Sequence, residues 1–310
     1  MTQVFLLISI VSAILVIIER RIARIIIYLA VYSLAVAICY MLLGAPDVAM
    51  AEAVASIFIT IFFIVCFEKY FSFADEQLGE SLRKIPVLPL LFSVGLFAVF
   101  LYFRPTGEVN TYLKDLYLLN FIDNVGGENP VTAIYLIYRV YDTLFEALVV
   151  VISVVAAIHL SAHNLETGKT ETLREVQDNG LAVYAIQIIC PLLLLFGIYL
   201  VLNGHLSPGG GFQGGLAIAS FFICRYMIYN INDLSIHKLA RMEEIIFVAI
   251  TLFAVSVVFL GGVFLLLPEH LLAPFRIGYM LVMNILIALK VACGFIILFY
   301  RYIVVENDEV

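Results

Sequence analysis

Residues Val48 to Phe67 read VAMAEAVASIFITIFFIVCF, an apolar run carrying a single ionisable side chain, Glu52. At a helical rise of about 1.5 Å per residue, such a run crosses the ~30 Å hydrocarbon core of a bilayer. Outward from it, hydropathy marks eight more candidate spans: Val4 to Ile18, Ile25 to Leu43, Pro86 to Phe103, Thr143 to Leu160, Val183 to Leu202, Gly215 to Tyr229, Ile245 to Leu267 and Gly278 to Tyr300. The expected fold is all-α, a polytopic integral membrane helix bundle of about nine transmembrane helices.

The composition agrees. Of 310 residues, 64% are hydrophobic and 13% charged, and the mean hydropathy is +1.08, which excludes a water-soluble domain. Nine crossings use roughly 180 residues and leave loops and tails, but no sizeable extramembrane domain. The formal charge of -7 argues against a nucleic-acid partner, which needs a basic surface, and the acidic excess points to cations. Cys39, Cys66, Cys190, Cys224 and Cys293 lie in apolar runs without CxxC spacing. They read as small core residues rather than cluster or zinc ligands, and no metal or cofactor is expected in this chain. Val4 to Ile18 is followed by Glu19, Arg20 and Arg21 instead of a small-residue cleavage site, so it reads as a retained first helix.

Twelve Lys and Arg residues fall on one side of the expected crossings and four on the other, with Lys290 left inside a span. The positive-inside rule then places the N-terminus outside and the C-terminus in the cytoplasm of a multi-pass protein of the cell inner (plasma) membrane. Two stretches, Phe71 to Arg83 and the polar Ser161 to Asn179, read as joints. They divide the chain into segments 1–80, 81–165 and 166–310, with three, two and four spans. Between the fourth and fifth spans, Tyr112, Leu113, Leu116 and Tyr117 recur at helical spacing until Gly126-Gly127, which marks a helix on the membrane surface or under a partner.

A carboxylate near the bilayer centre costs about 2.5 to 3.5 kcal/mol, so an acid within a span needs a reason. Glu52, Ser56 and Thr60 stand at i, i+4 and i+8, forming one polar stripe on an apolar helix. Asp142, Glu146 and Ser153 lie within about 40° of one another on a helical wheel. Such stripes face protein or water rather than lipid. Glu52 and Glu146 are therefore candidate proton or ion relay residues, with Asp142 on the same face as Glu146. The structural alternative is a fixed pair, for example of Glu146 with Arg139 or with a partner chain. Lys290, mid-span with Asn284 and Gly294 nearby, reads as a relay residue or a counter-ion. His159 and His163, at the edge of the fifth span, read as snorkelling side chains more readily than as a metal pair.

Asn203 to Gly215 reads NGHLSPGGGFQGG and contains a formal GxGxxG at Gly209, Gly211 and Gly214. No strand precedes it and no Lys-Ser or Lys-Thr follows, which excludes dinucleotide and Walker A readings. Ser207 as N-cap with Pro208 at the first helical position predicts a helix start there. Gly210 with Gly214, and Gly211 with Gly215, set small residues at i, i+4 for close helix contact. The backbone amides of a half-helix end, able to meet an anion, are the second reading of the same residues.

These residues resemble subunits of the Mrp-type multisubunit sodium/proton antiporters and of the related membrane-bound respiratory complexes of the hydrogenase type. Pro208 to Gly215, PGGGFQGG, is similar to the signature of the family's B subunit, and the likeness covers the last four spans. Gly44 to Ala53, GAPDVAMAEA, resembles the GAPD motif of a three-span segment found at the end of the large A subunit or as a separate D subunit. The likeness makes Asp47 the motif's acid and Glu52 its in-membrane acid, with Met50-Ala51 where the family more often has Leu-Thr. Asn129 to Thr132 and Tyr138 to Glu146, YRVYDTLFE, resemble the next segment of the family, with Val140 and Phe145 in place of its glycines.

The resemblance implies a fusion of D-like, E-like and B-like subunits in one polypeptide. It further implies an ion-translocating subunit without an active site of its own, moving sodium and protons beside other membrane subunits, in a standalone antiporter or a redox-driven complex. A non-transporting scaffold in the same kind of complex is the alternative. An integral-membrane enzyme finds no nucleophile-base pair, metal set or cofactor loop in its favour.

Overall fold

A computed structural model describes residues 1–70, 87–103, 111–162, 180–229, 235–264 and 269–303. The described residues form an all-α bundle: α1 (Thr2–Ile18), α2 (Ile22–Leu42), α3 (Pro46–Tyr70), α4 (Val87–Tyr102), α5 (Tyr112–Val125), the single turn α6 (Pro130–Ala133), α7 (Val140–Ala162), α8 (Gly180–Asn203), α9 (Gly211–Tyr229), α10 (Ile236–Phe264) and α11 (Glu269–Ile303). Where they are described, the expected spans fall on helices, but this does not fix nine as the number of crossings. Among the described residues, five helical stretches have the length and apolarity to cross a bilayer: Ile22–Leu42, Pro46–Phe67, Val140–His159, Tyr184–Asn203 and Phe275–Tyr302. Thr2–Ile18 and Leu91–Tyr102 are apolar but shorter. The joint Phe71 to Arg83, most of Ser161 to Asn179, and with them the divisions at 80/81 and 165/166, lie outside the described residues, as does His163.

Local chemistry sets several helix ends. Pro46 opens α3 with Asp47 in its first turn, where a carboxylate faces the positive end of the helix dipole, and Gly44, at φ 77, turns the chain out of α2. Between α1 and α2 the Glu19 carboxylate accepts from the backbone N–H of Arg20 at 2.8 Å and of Arg21 at 3.3 Å, and these bonds hold its carboxyl below the usual range. The expected helix after Arg104 is α5, and it ends at Gly126 in the left-handed conformation, φ 81. Asn129 caps α6, accepting from the N–H of Val131 at 2.9 Å and of Thr132 at 3.3 Å.

Between α6 and α7 the backbone forms a π-helical turn, Ile134–Tyr138, which ends at Arg139 with φ -132 and ψ 47. Wider turns of this kind leave carbonyls without their normal helical partner. The Thr143 hydroxyl donates to the carbonyl of Tyr135 at 2.6 Å and fills that need.

The expected helix start at Ser207-Pro208 is corrected by the structure. Residues 204–208 form turns and α9 begins at Gly211, because Gly209 and Gly210 take φ 155 and 150, outside the helical region. Ser207 instead closes the preceding helix, its hydroxyl donating to the carbonyl of Asn203 at 3.2 Å.

α11 is the hub. In its most apolar 18 residues 61% are buried, against 22% to 28% for the other four crossing stretches. α9 lies between α8 and α11, and its glycines set both contacts. A Cβ on Gly211 would stand 2.6 Å from the Asn284 carbonyl oxygen, and one on Gly215 2.5 Å from that of Ala288. On the opposite side, a Cβ on Gly214 would stand 2.8 Å from the carbonyl oxygen of Gly197 in α8 and would run into Val201. Close backbone approach of this kind is how helices pack where lipid supplies no hydrophobic drive. α3 runs along α11 in the same direction, with Phe58 edge-on to Phe295 at 4.9 Å and Phe62 near Phe299 at 6.3 Å. α7 does likewise: Tyr279 donates to the Leu136 carbonyl at 3.4 Å, and a Cβ on Gly294 would meet Val150 Cγ1 at 2.7 Å.

Replacing Gly214 by leucine is expected to lower thermal stability sharply and to prevent assembly, since overpacking at a rigid contact costs about 1–3 kcal/mol or more. Gly278 has no atom within 4 Å of an added Cβ, so Gly278→Ala should change the melting temperature little. Melting of both variants in detergent checks the contrast.

The start of α3, the turn before α6 and the glycine-rich turn meet at one end of the bundle: Asp47 accepts from Asn129 and Gly209, and Glu128 and Asn129 both donate backbone N–H to the His205 carbonyl, at 3.0 and 3.1 Å. Cysteines placed at Glu128 and at Ser207 should react with an impermeant reagent from the same side of the membrane, and one at Glu19 from the opposite side. Labelling in intact cells and in inverted vesicles checks this.

Candidate functional site

The polar groups of the bundle lie in two tiers. The outer tier forms where α3, α6 and the glycine-rich turn converge. Asp47 is buried, and its Oδ1 accepts from Asn129 Nδ2 at 2.9 Å and from the N–H of Gly209 at 3.3 Å. The Asn129 amide also donates to the carbonyls of Gly204 at 3.2 Å and Ser207 at 3.0 Å. Thr132 donates to the Gly204 carbonyl at 2.6 Å. From α11, Asn284 Oδ1 accepts from the Tyr135 hydroxyl and from the N–H of Gly211, both at 3.2 Å. Each of the three motifs singled out in the sequence thus supplies a partner to the others.

The inner tier holds the charges. Lys290 of α11, fully buried, donates to Glu243 Oε1 of α10 at 2.8 Å, and both side chains are at most 3% exposed. The ammonium also stands 5.8 Å from the centre of the Phe247 ring. Glu146 of α7 is within electrostatic reach of Lys290. The parallel register explains why: Glu146 is one turn before Val150 and Lys290 one turn before Gly294, which touch. Glu52 belongs to the same level. It precedes Phe58 by six residues, about 9 Å, and Lys290 precedes Phe295 by five, about 7.5 Å, so the two lie within about 2 Å of each other along the helix axes. The Glu52 carboxylate accepts from the hydroxyl of Ser33 in α2, itself buried. Asn284 is six residues before Lys290, which puts the outer tier about 9 Å nearer the loops.

The structure brings Asp47, Glu52, Glu146 and Lys290 into these tiers and leaves Asp142 outside them. Asp142 pairs with Arg139 at 2.9 Å on the exposed surface, and this pairing replaces the sequence-level alternative of Arg139 with Glu146. Glu146 is exposed on the surface of the chain next to a buried stripe of Thr143, Ala147, Val150 and Val154. Pro208 lies in the turn, Gly209 gives its N–H to Asp47, and Gly210 lies beside the Tyr135 hydroxyl. Gly211, Gly214 and Gly215 stand at the helix contacts described above. Sequence reasoning missed Ser33, Tyr135 and above all Glu243. The signal for Glu243 was available: a lysine in mid-span demands an anion, and Glu243 is an acid on the flank of the preceding span.

Two families match separate parts of the chain. Residues 181–297 match the family described as a domain related to the MnhB subunit of Na+/H+ antiporter, and residues 7–71 match the MbhD family, the D subunit of MBH. The chain thus resembles a D-like segment followed by a B-like segment of the Mrp type. Over 244 residues it is 28% identical to an uncharacterized protein of Methanocaldococcus jannaschii, covering 69% of this chain and 90% of that one. It is also 28% identical over 148 residues to a Staphylococcus haemolyticus protein named as antiporter subunit mnhA2, covering 48% of this chain but 18% of that protein. A chain in the structure of the Mrp complex from Dietzia sp. DQ12-45-1b superposes at a TM-score of 0.67 and 20% identity, covering 94% of this chain and 34% of its own length, which establishes the shared fold. With five apolar helices of crossing length among its described residues, the chain is a multi-pass membrane protein.

Removing one partner of a buried ion pair leaves an uncompensated charge, at about 3–5 kcal/mol, whereas replacing both by apolar groups is often near neutral. Glu243→Ala is therefore expected to destabilise the protein far more than the double variant Glu243→Leu with Lys290→Met. Thermal unfolding of the purified membrane protein measures the difference.

Proposed function

We propose that this chain is an ion-translocating subunit of an Mrp-type module, alone or within a membrane-bound respiratory complex, and that the inner charged tier is the part through which the ion or proton passes. The observation that carries the reading is the placement of a buried lysine between two carboxylates: Lys290 bonded to Glu243 and within electrostatic reach of Glu146. A lysine so placed has one acceptor for its ammonium, Glu243, and a change of charge on Glu146 alters the field that acts on that bond. Glu52, level with it on α3 and hydrogen bonded to Ser33, extends the same tier toward α2. Acids of this kind within a membrane are expensive and are retained where a proton or cation uses them. Sodium and protons are the proposed cargo, other membrane subunits the proposed neighbours, and no cofactor is assigned to this chain.

The scaffold reading draws on a different observation, the outer tier, whose hydrogen bonds join the D-like and B-like parts through Asn129. The two readings separate on one measurement. In vesicles carrying the assembled complex, Glu52→Gln and Glu146→Gln are each expected to reduce sodium-dependent proton flux at least tenfold with assembly intact. Wild-type flux from both variants would leave the scaffold.

A further inference from the structure

The outward side of α7 presents a charge for which the described residues hold no adjacent counter-ion. Glu146 is exposed, and around it Tyr141, Phe145, Val149 and Ile152 are 64%, 65%, 61% and 57% exposed. Two basic groups lie near this part of the helix, and both are engaged: Arg139 by Asp142 at 2.9 Å and Lys290 by Glu243 at 2.8 Å. Glu146 receives only the longer-range attraction of Lys290, and the tier holds three carboxyl groups, Glu52, Glu146 and Glu243, beside one lysine among the described residues. Its depth limits what could supply the missing charge. Glu146 is 6 residues, about 9 Å, inside its own stretch Val140–His159, and Lys290, level with it, is 15 residues from the start of Phe275–Tyr302 and 12 from its end, which puts both within the hydrocarbon core. Acyl chains offer no partner, and the aromatic and branched side chains on both sides of Glu146 suit a helix rather than an aqueous cleft.

We infer that the Tyr141, Phe145, Val149 and Ile152 face of α7 seats a transmembrane helix of a partner subunit, and that this helix presents a lysine or arginine in mid-span opposite Glu146. The inference deepens the relay reading, since it names the neighbour of one relay carboxylate, but it stands on exposure, depth and charge balance. A second copy of this chain would place Glu146 near another like charge and is disfavoured on the same ground.

The test uses the assembled complex in native membranes, with p-benzoylphenylalanine at Phe145, Val149 or Ile152. Ultraviolet irradiation is expected to join this chain to another membrane subunit, at a peptide within two helical turns of a mid-span lysine or arginine. Glu146→Lys should reduce that adduct at least fivefold, and reversing the partner's basic residue to glutamate should recover it. Adducts with lipid alone, with a second copy of this chain, or with a helix lacking a mid-span basic residue would overturn the inference, as would no protein adduct from any of the three positions. Cross-linking reads contact and not flux. Loss of the relay function with the partner adduct intact, or the reverse, would therefore show which of the two readings has failed.

Discussion

The close approach of α9 to α11, glycine against backbone carbonyl at Gly211 and Gly215, is the contact on which the rest of the bundle depends. In a bilayer, apolar side chains gain little by meeting one another rather than lipid, so helices associate where their backbones can come near and where polar groups can find partners. With no Cβ at Gly214 on its other side, α9 can touch α8 at the same time. The helix therefore acts as a thin spacer, and α11 becomes central enough to keep a lysine out of contact with lipid. A larger residue at any of these points would widen the bundle where the charged tier needs it narrow.

The burial of Lys290 follows from that geometry. A charge without water is tolerated only when partnered, and Glu243, Phe247 and the attraction of Glu146 surround the ammonium from two neighbouring helices. The outer tier is different in kind. It contains one formal charge, Asp47, held by an amide and a backbone N–H, and its other members are neutral donors and acceptors. The first tier stores charge at depth, while the second ties together loops that would otherwise expose backbone groups at the membrane boundary.

The helices were legible because apolar run length is a direct consequence of bilayer thickness, and the break after α5 because Gly126 can adopt the left-handed conformation. The individual acids were legible for a similar reason: Glu52, Glu146 and Lys290 stand out in apolar surroundings. Their partners were less so. Glu243 follows Arg241 at the basic end of α10, where a charged residue looks like an ordinary flank, and only the fold shows that α10 begins at Ile236 and carries Glu243 inward. Ser33 gives no sign in the sequence that it meets Glu52 from a neighbouring helix. The start of α9 was misread because Ser-Pro is a sound local signal for a helix, whereas Gly209 and Gly210 are shaped by what surrounds them, Leu200 and Tyr135 respectively.

The π-helical turn at Ile134–Tyr138 carries one further consequence. Each residue added to a helix rotates everything beyond it by about 100°. The widened turn therefore works as a phase shifter between two addresses on one strand of chain: Tyr135 is aimed at Asn284, while Thr143, Ala147 and Val150 are aimed at the protein interior and Glu146 at its border. Had α6 and α7 been one regular helix, the angular setting of the outer hydrogen bonds would have dictated that of the carboxylate. With the turn in place, the two settings are independent, and the direction in which Glu146 looks is a matter of local winding rather than of how the loops are tied.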